Sequence, residues 1–308
     1  MHEGGKRAIV AAFGANLAIA VAKFGAFAVT GATSMLAEAI HSVADTGNQG
    51  LLLVGSAKAK RAPDEEHPFG YGRERYFWAF VVSMVLFSLG SLFALYEGFQ
   101  KFAHPHELES PIVAYGVLGF AIVAEALSFR TARQEAMKIR GAQSWRSFIR
   151  RTKNPELSVV LLEDTGALIG LVFALVGVSL AEITGNSRFD ALGSIAIGVL
   201  LGGIAFILAR ENKSLLIGES ADPIVVRAVR SAIEESEHVV RLIHLRTLQL
   251  GPEDLLVTAK AELDGSIAAE DIGAAIDAIE VRIRATSPEA RLIFIEPDRY
   301  RPASTERS

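Results

Sequence analysis

Ionisable side chains interrupt two of the long apolar stretches of this 308-residue chain. In the first stretch, Glu38, His41 and Asp45 are spaced by three and four residues, which places them on one face of a helix. In the second, Glu163 and Asp164 stand within an otherwise apolar run. One imidazole and two carboxylates are the ligand types of a divalent transition metal. We therefore predict that His41, Asp45 and Asp164 bind a metal ion; the alternative is a buried polar network that only holds helices in register.

Single polar residues also occur in the apolar stretches. We expect most of them to lie at helix ends or to form hydrogen bonds between helices. They are Asn16, Lys23, Glu97, Glu125 and Asp190. Among them, Asn16 is the first candidate for an auxiliary ligand. Asn48 and Gln49 continue the helical face of Asp45 by one turn.

Six apolar stretches in the first 210 residues are each close to the about 20 residues that a helix needs to cross a bilayer. They cover residues 8–30, 34–57, 77–100, 111–134, 157–181 and 189–209. With the N-terminus inside, seventeen Lys and Arg residues fall on the cytoplasmic side and only Lys101 and Arg188 on the other. This bias predicts that both termini are cytoplasmic. The stretch over residues 8–30 has no cleavage-site pattern and is expected to be a retained helix.

A different pattern begins after Arg210. Asp222-Pro223 is typical of a helix start, with a capping carboxylate followed by proline in the first turn. Alternating apolar residues then predict strands over 239–248 and 255–263, a helix over 268–285 and a third strand over 290–295. The order α-β-β-α-β predicts a small α+β domain. We expect a membrane domain over 1–215, a cytoplasmic domain over 216–298 and a flexible tail over 299–308.

Composition excludes several classes of protein. The chain has no cysteine, which rules out disulfides and thiolate metal sites. Its net charge of −4 argues against nucleic-acid binding, which needs a basic surplus. No phosphate-binding glycine motif occurs, so we expect no nucleotide and assign the energy source to an ion gradient. Residues 216–298 carry eight basic and sixteen acidic side chains, which favours a solvated acidic surface.

A short sequence echo links the two acidic stretches. Asp45-Thr46-Gly47 and Asp164-Thr165-Gly166 lie in the second span of each group of three, and these two spans run in opposite directions. Matched polar positions in oppositely directed triplets are typical of transporters with a binding site near mid-membrane. Two Asp-Thr-Gly triplets also occur in aspartic proteases, so an intramembrane protease is an alternative, although the helical flanks argue against it. A sensor or scaffold that binds metal without transporting it is a third possibility.

At these residues the chain resembles the cation diffusion facilitator family of proton-coupled metal exporters. The resemblance rests on the pair His41-x-x-x-Asp45, on Asp164 and on the loop His67-Pro-Phe-Gly-Tyr-Gly. It implies six transmembrane helices followed by a metallochaperone-like, ferredoxin-like cytoplasmic domain, and a homodimer in the lipid bilayer. It also implies antiport of Zn²⁺ against H⁺ by alternating access, with Fe²⁺, Co²⁺ or Mn²⁺ as alternative substrates. The chain would then be no enzyme and would need no prosthetic group.

The sequence departs from the family pattern at two places. Val160 stands where the family has a further ligand, so Glu163, Glu38, Asn16 or water is expected to complete the site. Ala-Glu-Ala-Ile-His in span two with Glu-Asp in span five resembles the branch that contains the mitochondrial and endoplasmic-reticulum zinc transporter of animals.

The second departure lies in the closing strand, which ends in Glu296-Pro297 without the histidine that members often carry before it. His67, His238 and His244 remain as weaker cytoplasmic candidates, and we expect metal binding there to be weak or absent. The expected location is a bacterial inner membrane.

Overall fold

The computed structural model describes the backbone of residues 3–30, 33–105 and 111–301. It describes the side chains of residues 5–29, 39, 42–105 and 112–301. The helices that precede the sheet are α1 (Glu3–Thr30), α2 (Thr33–Lys58), α3 (Glu74–Val85), a π-helical segment (Leu86–Leu92), α4 (Phe93–Ala103), α5 (Pro111–Arg140), the short α6 (Trp145–Arg151), α7 (Pro155–Thr184) and α8 (Arg188–Ile217). The remaining elements are α9 (Pro223–Glu234), β1 (Val239–Gly251), β2 (Asp254–Leu263), α10 (Ile272–Thr286) and β3 (Ala290–Pro297).

The chain forms two compact units. The helical unit contains Met1–Ala62 and Glu74–Lys213, and the sheet unit contains Pro63–Arg73 and Ser214–Ser308. The loop between α2 and α3 thus groups with the C-terminal part of the chain, which the sequence did not indicate.

The helical unit is a bundle of membrane-spanning helices, as predicted. Within the part of the chain that is described, five helical stretches are long and apolar enough to cross a bilayer; they include the continuous stretch Glu74–Ala103. α2 is 26 residues long and packs against α1 and α3, so it belongs to the same bundle, although its middle is more polar. Helices are the expected solution because hydrocarbon offers no partners for backbone N–H and C=O groups.

The apolar residues of the bundle divide between an interior and a lipid-facing surface. Ile9, Leu52 and Leu157 are buried in one core together with Val82 and Leu208. Other large apolar side chains point outward, where acyl chains rather than water would cover them. These include Val21, Val123, Val199 and Phe206.

The helix that carries the second acidic stretch has sharply defined ends. Asn154 caps α7 by accepting a hydrogen bond from the Leu157 N–H, and Pro155 occupies the first turn. At the other end, Gly185 adopts a left-handed conformation with φ of 68°, which suits glycine. These two boundaries define a 30-residue helix that contains Glu163 and Asp164.

The helix formed by α3, the π-helical segment and α4 packs closely on α8. The Ser91 hydroxyl donates to the Gly198 carbonyl oxygen at 2.8 Å, and a side chain at Gly198 would meet the Leu95 backbone nitrogen at 2.9 Å. Small residues permit such close approach of two membrane helices. The π-helical segment itself was not predicted.

The sheet unit is an α+β domain, as predicted. Its sheet has the order β1-β2-β3, with β1 and β2 antiparallel and β2 and β3 parallel. Alternate residues of β2, from Leu255 to Ala261, are buried against Ile233 of α9 and Ile283 of α10. Both helices therefore cover the same face. The Asp222 carboxylate accepts from the Ile224 N–H at 2.8 Å, which confirms the predicted helix start.

The loop 63–73 is ordered around a single carboxylate. Asp64 accepts hydrogen bonds from the Tyr71 hydroxyl at 2.6 Å and from the His67 N–H at 2.8 Å. Gly72 follows, and a side chain there would meet the Leu250 carbonyl oxygen at 2.7 Å. Glycine is therefore needed where this loop contacts the β1–β2 turn.

Candidate metal centre

Asp164 is a buried residue of α7, on the side where this helix faces α5. Its side chain is only 2% exposed, and Oδ2 accepts a hydrogen bond from Ser128 Oγ at 2.7 Å. A hydroxyl leaves the other carboxylate oxygen available to a cation, because it donates only one proton. Asp164 is thus positioned by α5 and remains able to act as a ligand.

Glu163, the preceding residue, faces a different helix. Gln49 Nε2 of α2 donates to Glu163 Oε2 at 2.7 Å, and Asn48 Nδ2 lies 3.5 Å from Oε1. Neighbouring residues on a helix point about 100° apart, so α7 presents one carboxylate to α5 and the other to α2. The pair Glu163-Asp164 therefore joins three helices.

Two further carboxylates belong to the same electrostatic cluster. Asp45 of α2 is half-buried and interacts through its charge with Glu163 and with Glu125. Glu125 of α5 is 6% exposed and also interacts with Asp164 and with Lys23 of α1. Glu125 was not predicted as a ligand; the packing of α5 on α7 brings it to the acidic cluster. Its spacing of three residues from Ser128 is the sequence signal that both share a face of α5.

The other predicted ligands lie on α1 and α2. His41 and Glu38 lie on α2, His41 one turn before Asp45, but their side chains are outside the described residues. Asn16 is buried in α1, and its part in the site stays a prediction. Val160 is fully buried in the apolar core, so this position supplies no ligand. Among the side chains that the structure describes, no three His, Asp or Glu residues already form a metal-binding group.

The histidines of the sheet unit occupy separate structural roles. His67 stacks on Tyr71 with ring centroids 4.4 Å apart, and its Nδ1 lies 3.6 Å from an Asp64 oxygen. His238 is exposed at a turn with φ of 66°, and His244 is exposed on β1 opposite Lys260 of β2. Metal binding by these residues stays a prediction.

Asp45, Glu125, Glu163 and Asp164 form a cluster of carboxylates on three helices. Glu163 interacts with the charges of the other three, and Lys23 is a cationic side chain that acts on Glu125. A charged group inside a membrane is costly unless it is paired, so this arrangement favours a bound cation that would draw the carboxylates together.

Comparison with known proteins identifies the family. Residues 9–217 match the family model described as the cation efflux transmembrane domain. The chain belongs to the cation efflux family. The match covers all the helices that supply the acidic cluster, and it confirms the resemblance to cation diffusion facilitators. Membership of a transporter family also excludes the protease alternative.

Individual relatives of this cation efflux protein point the same way. It is 34% identical over 248 residues to the mouse protein named Proton-coupled zinc antiporter SLC30A9, mitochondrial, covering 80% of this chain and 44% of the relative. It is 30% identical over 268 residues to Metal tolerance protein C4 of Arabidopsis thaliana, covering 86% and 59%. It is 24% identical over 249 residues to the Manganese efflux system protein MneP of Bacillus subtilis, covering 79% and 78%. The chain thus spans less than half of the mouse relative's length.

Proposed function

We propose that this protein exports a divalent transition-metal cation across a membrane in exchange for protons. The observation that carries the proposal is the burial of Glu125 and Asp164 on the facing helices α5 and α7, with Asp45 of α2 acting on Glu125 through its charge. Carboxylates at this depth are rare and mark ion pathways. Two carboxylates neutralise the charge of one divalent ion, which makes passage of the loaded site through the membrane interior feasible.

The substrate that we rank first is Zn²⁺. Imidazole nitrogen from His41 together with carboxylate oxygens from Asp45 and Asp164 suits Zn²⁺, and Fe²⁺, Co²⁺ and Mn²⁺ are the alternatives. The name of the mouse relative specifies zinc and that of the Bacillus relative specifies manganese, which keeps both metals under test. Glu125, Glu38 or Asn16 would replace the ligand that Val160 lacks.

Proton coupling follows from the chemistry of the ligands. Each ligand binds metal only when deprotonated, so protons compete with the ion for the same atoms. The ordinary pKa of histidine is about 6.5, which makes His41 the natural group for exchange near neutral pH. The metal would enter from the cytoplasm, the bundle would reopen on the other side, and protons would displace the ion there.

The orientation and assembly belong to the same proposal. The distribution of Lys and Arg favours cytoplasmic termini, and a bacterial inner membrane is the proposed location. Two copies would associate through their cytoplasmic and transmembrane domains. Both statements rest on sequence pattern and family likeness.

Reconstitution in liposomes tests the proposal. Purified full-length protein should drive Zn²⁺ flux that increases with an imposed pH gradient and stops when the gradient collapses. Asp45→Ala should remove the flux, whereas Asp277→Ala, which changes an aspartate of the sheet unit, should leave it unchanged. Zn²⁺ binding without any flux would favour the sensor or scaffold, and flux that ignores both the gradient and Asp45→Ala would disprove the transport site.

A further inference from the structure

Asn48 and Gln49 have side-chain amides inside the bundle whose oxygen atoms accept no hydrogen bond from the described residues. Both residues are almost wholly buried, with 2% and 0% exposure. Their nitrogen atoms face the Glu163 carboxylate, at 3.5 Å for Asn48 and 2.7 Å for Gln49. Their carbonyl oxygens, Asn48 Oδ1 and Gln49 Oε1, are buried and have no hydrogen-bond partner within the described part of the chain.

Buried acceptors of this kind are unusual in folded proteins and call for a physical explanation. Because both N–H groups are directed at the Glu163 carboxylate, the carbonyl oxygens are directed elsewhere and need a partner of their own. Donors or cations are the only species that satisfy carbonyl oxygens. Three further carboxylates, Asp45, Glu125 and Asp164, act on Glu163 through their charge, which favours a cation in this region.

The position is close to the proposed transport site but chemically distinct from it. Asn48 and Gln49 lie one turn beyond Asp45 on α2, a rise of about 5 Å. The available atoms are two amide oxygens and the oxygens of Glu163, with no nitrogen ligand among them. Oxygen-only sets suit hard divalent ions such as Mn²⁺ and Mg²⁺ better than Zn²⁺, which favours nitrogen and sulfur ligands.

We propose that Glu163, Asn48 and Gln49 form a second, oxygen-only cation-binding position beside the transport site, with Mn²⁺ as the ion that best reveals it. This inference rests on the proposed function, since a cation must reach the bundle interior. In the empty protein the amide N–H groups hold the Glu163 carboxylate. On binding, the amides rotate so that their oxygens and the carboxylate share the ion.

Mn²⁺ binding to the full-length protein in detergent, followed by electron paramagnetic resonance, tests the inference directly. Gln49→Met and Asn48→Leu remove the amide oxygens at nearly constant volume and should each weaken Mn²⁺ binding about tenfold, while Zn²⁺ flux in liposomes changes by less than about threefold. Asn212→Leu is the matched control, because Asn212 is also a buried asparagine with an unpaired atom, its Nδ2. It should leave Mn²⁺ binding unchanged.

Gln49→Glu provides the second variant. It keeps an oxygen and should retain or tighten Mn²⁺ binding; if it loses binding as fully as Gln49→Met does, Gln49 has a structural role and the inference is wrong. Unchanged Mn²⁺ binding in Gln49→Met and Asn48→Leu would mean that water satisfies the oxygens, which also overturns it. Failure of the proposed function is a separate result, recognised by Zn²⁺ flux that survives Asp45→Ala.

Discussion

The helical unit and the sheet unit use acidic side chains in opposite ways. The sheet unit carries the larger number, with sixteen acidic against eight basic residues over 216–298. Its carboxylates lie at the surface, where Glu296 and Asp298 both pair with Lys260 at 2.7 and 3.1 Å. The helical unit buries Glu125, Glu163 and Asp164 on two helices. Convergence and burial, rather than the number of acidic groups, therefore distinguish a candidate ion site from a solvated surface.

The ionisation of the surface pair illustrates the difference. The Arg299 backbone N–H and then the Lys260 ammonium lower the pKa of Asp298, and the Glu296 and Asp298 carboxylates raise the pKa of Lys260. Such groups stay charged because water and a partner surround them, and salt screens their attraction. These surface carboxylates are therefore poor candidates for binding a transition metal.

We expect the largest effect on metal transport at Asp164, a buried aspartate of the helical unit. Asp164→Asn should abolish metal flux in liposomes, because it removes the charge that Ser128 orients toward the site. The loss in metal affinity should exceed the about 10–100-fold typical of residues that only support a ligand. Asp271→Asn in the sheet unit is the control. Flux that persists in Asp164→Asn would place the metal pathway elsewhere.

A buried ion pair of the helical unit should dominate its stability. Arg75 Nη2 of α3 donates to Glu156 Oε2 of α7 at 2.8 Å, and the Glu156 side chain is 1% exposed. Glu156→Gln should lower the free energy of unfolding by about 3–5 kcal/mol, since it removes the fully buried carboxylate that pairs with the partly buried Arg75 guanidinium.

An exposed pair in the sheet unit is the comparison for that measurement. Arg230 and Glu234 are each about half exposed and 3.4 Å apart. Thermal denaturation measures the stability of both variants. Glu234→Gln should change the free energy of unfolding by less than about 1 kcal/mol. Equal effects of Glu156→Gln and Glu234→Gln would show that burial does not set the strength of these pairs.

Glu125 should have an intermediate effect. Glu125→Gln removes one carboxylate of the acidic cluster, and we expect metal affinity to fall about tenfold while some flux remains. Glu135→Gln is a matched control on the same helix, because Glu135 is also buried but pairs with Lys138 at 2.7 Å. Isothermal titration with Zn²⁺ distinguishes the two variants, and identical affinities would remove Glu125 from the site.

We expect the smallest effect on stability at the exposed ion pair of Lys260 and Asp298. Lys260→Met should raise the pKa of Asp298 only part of the way to its ordinary value, because the Arg299 N–H remains. A lowered pKa stabilises the fold above the unfolded-state pKa, and this contribution disappears as pH falls through the folded-state pKa. The Lys260→Met variant should therefore lose this stabilising contribution at a higher pH than the unmodified protein does. Carboxyl carbon shifts of labelled aspartate measure the change, and an unchanged Asp298 titration would contradict the assigned cause.

The sequence alone predicts what depends on local pattern. The length and apolarity of the spans predicted the bundle, the Asp222-Pro223 pair predicted the start of α9, and alternation predicted the strands of the sheet. These features depend on interactions within a few residues. The same reasoning placed Asp45 and Asp164 among the candidate ligands.

What the sequence did not predict depends on how distant elements pack. The role of Glu125 follows from the face that α5 turns toward α7, and the division of Glu163 and Asp164 between α2 and α5 follows from the position of α7 between them. The association of the loop 63–73 with the β1–β2 turn depends on contact across a long sequence separation at Gly72. Periodicity along one helix contains no information on its neighbours.

The most direct test is to locate the bound ion. Anomalous scattering at the zinc edge from crystals of the full-length protein with Zn²⁺ should reveal an ion within about 2.0–2.2 Å of an Asp45 oxygen and an Asp164 oxygen. The peak should disappear in Asp164→Asn. A zinc ion held only by residues of the sheet unit, with no ion between α2 and α7, would contradict the assignment.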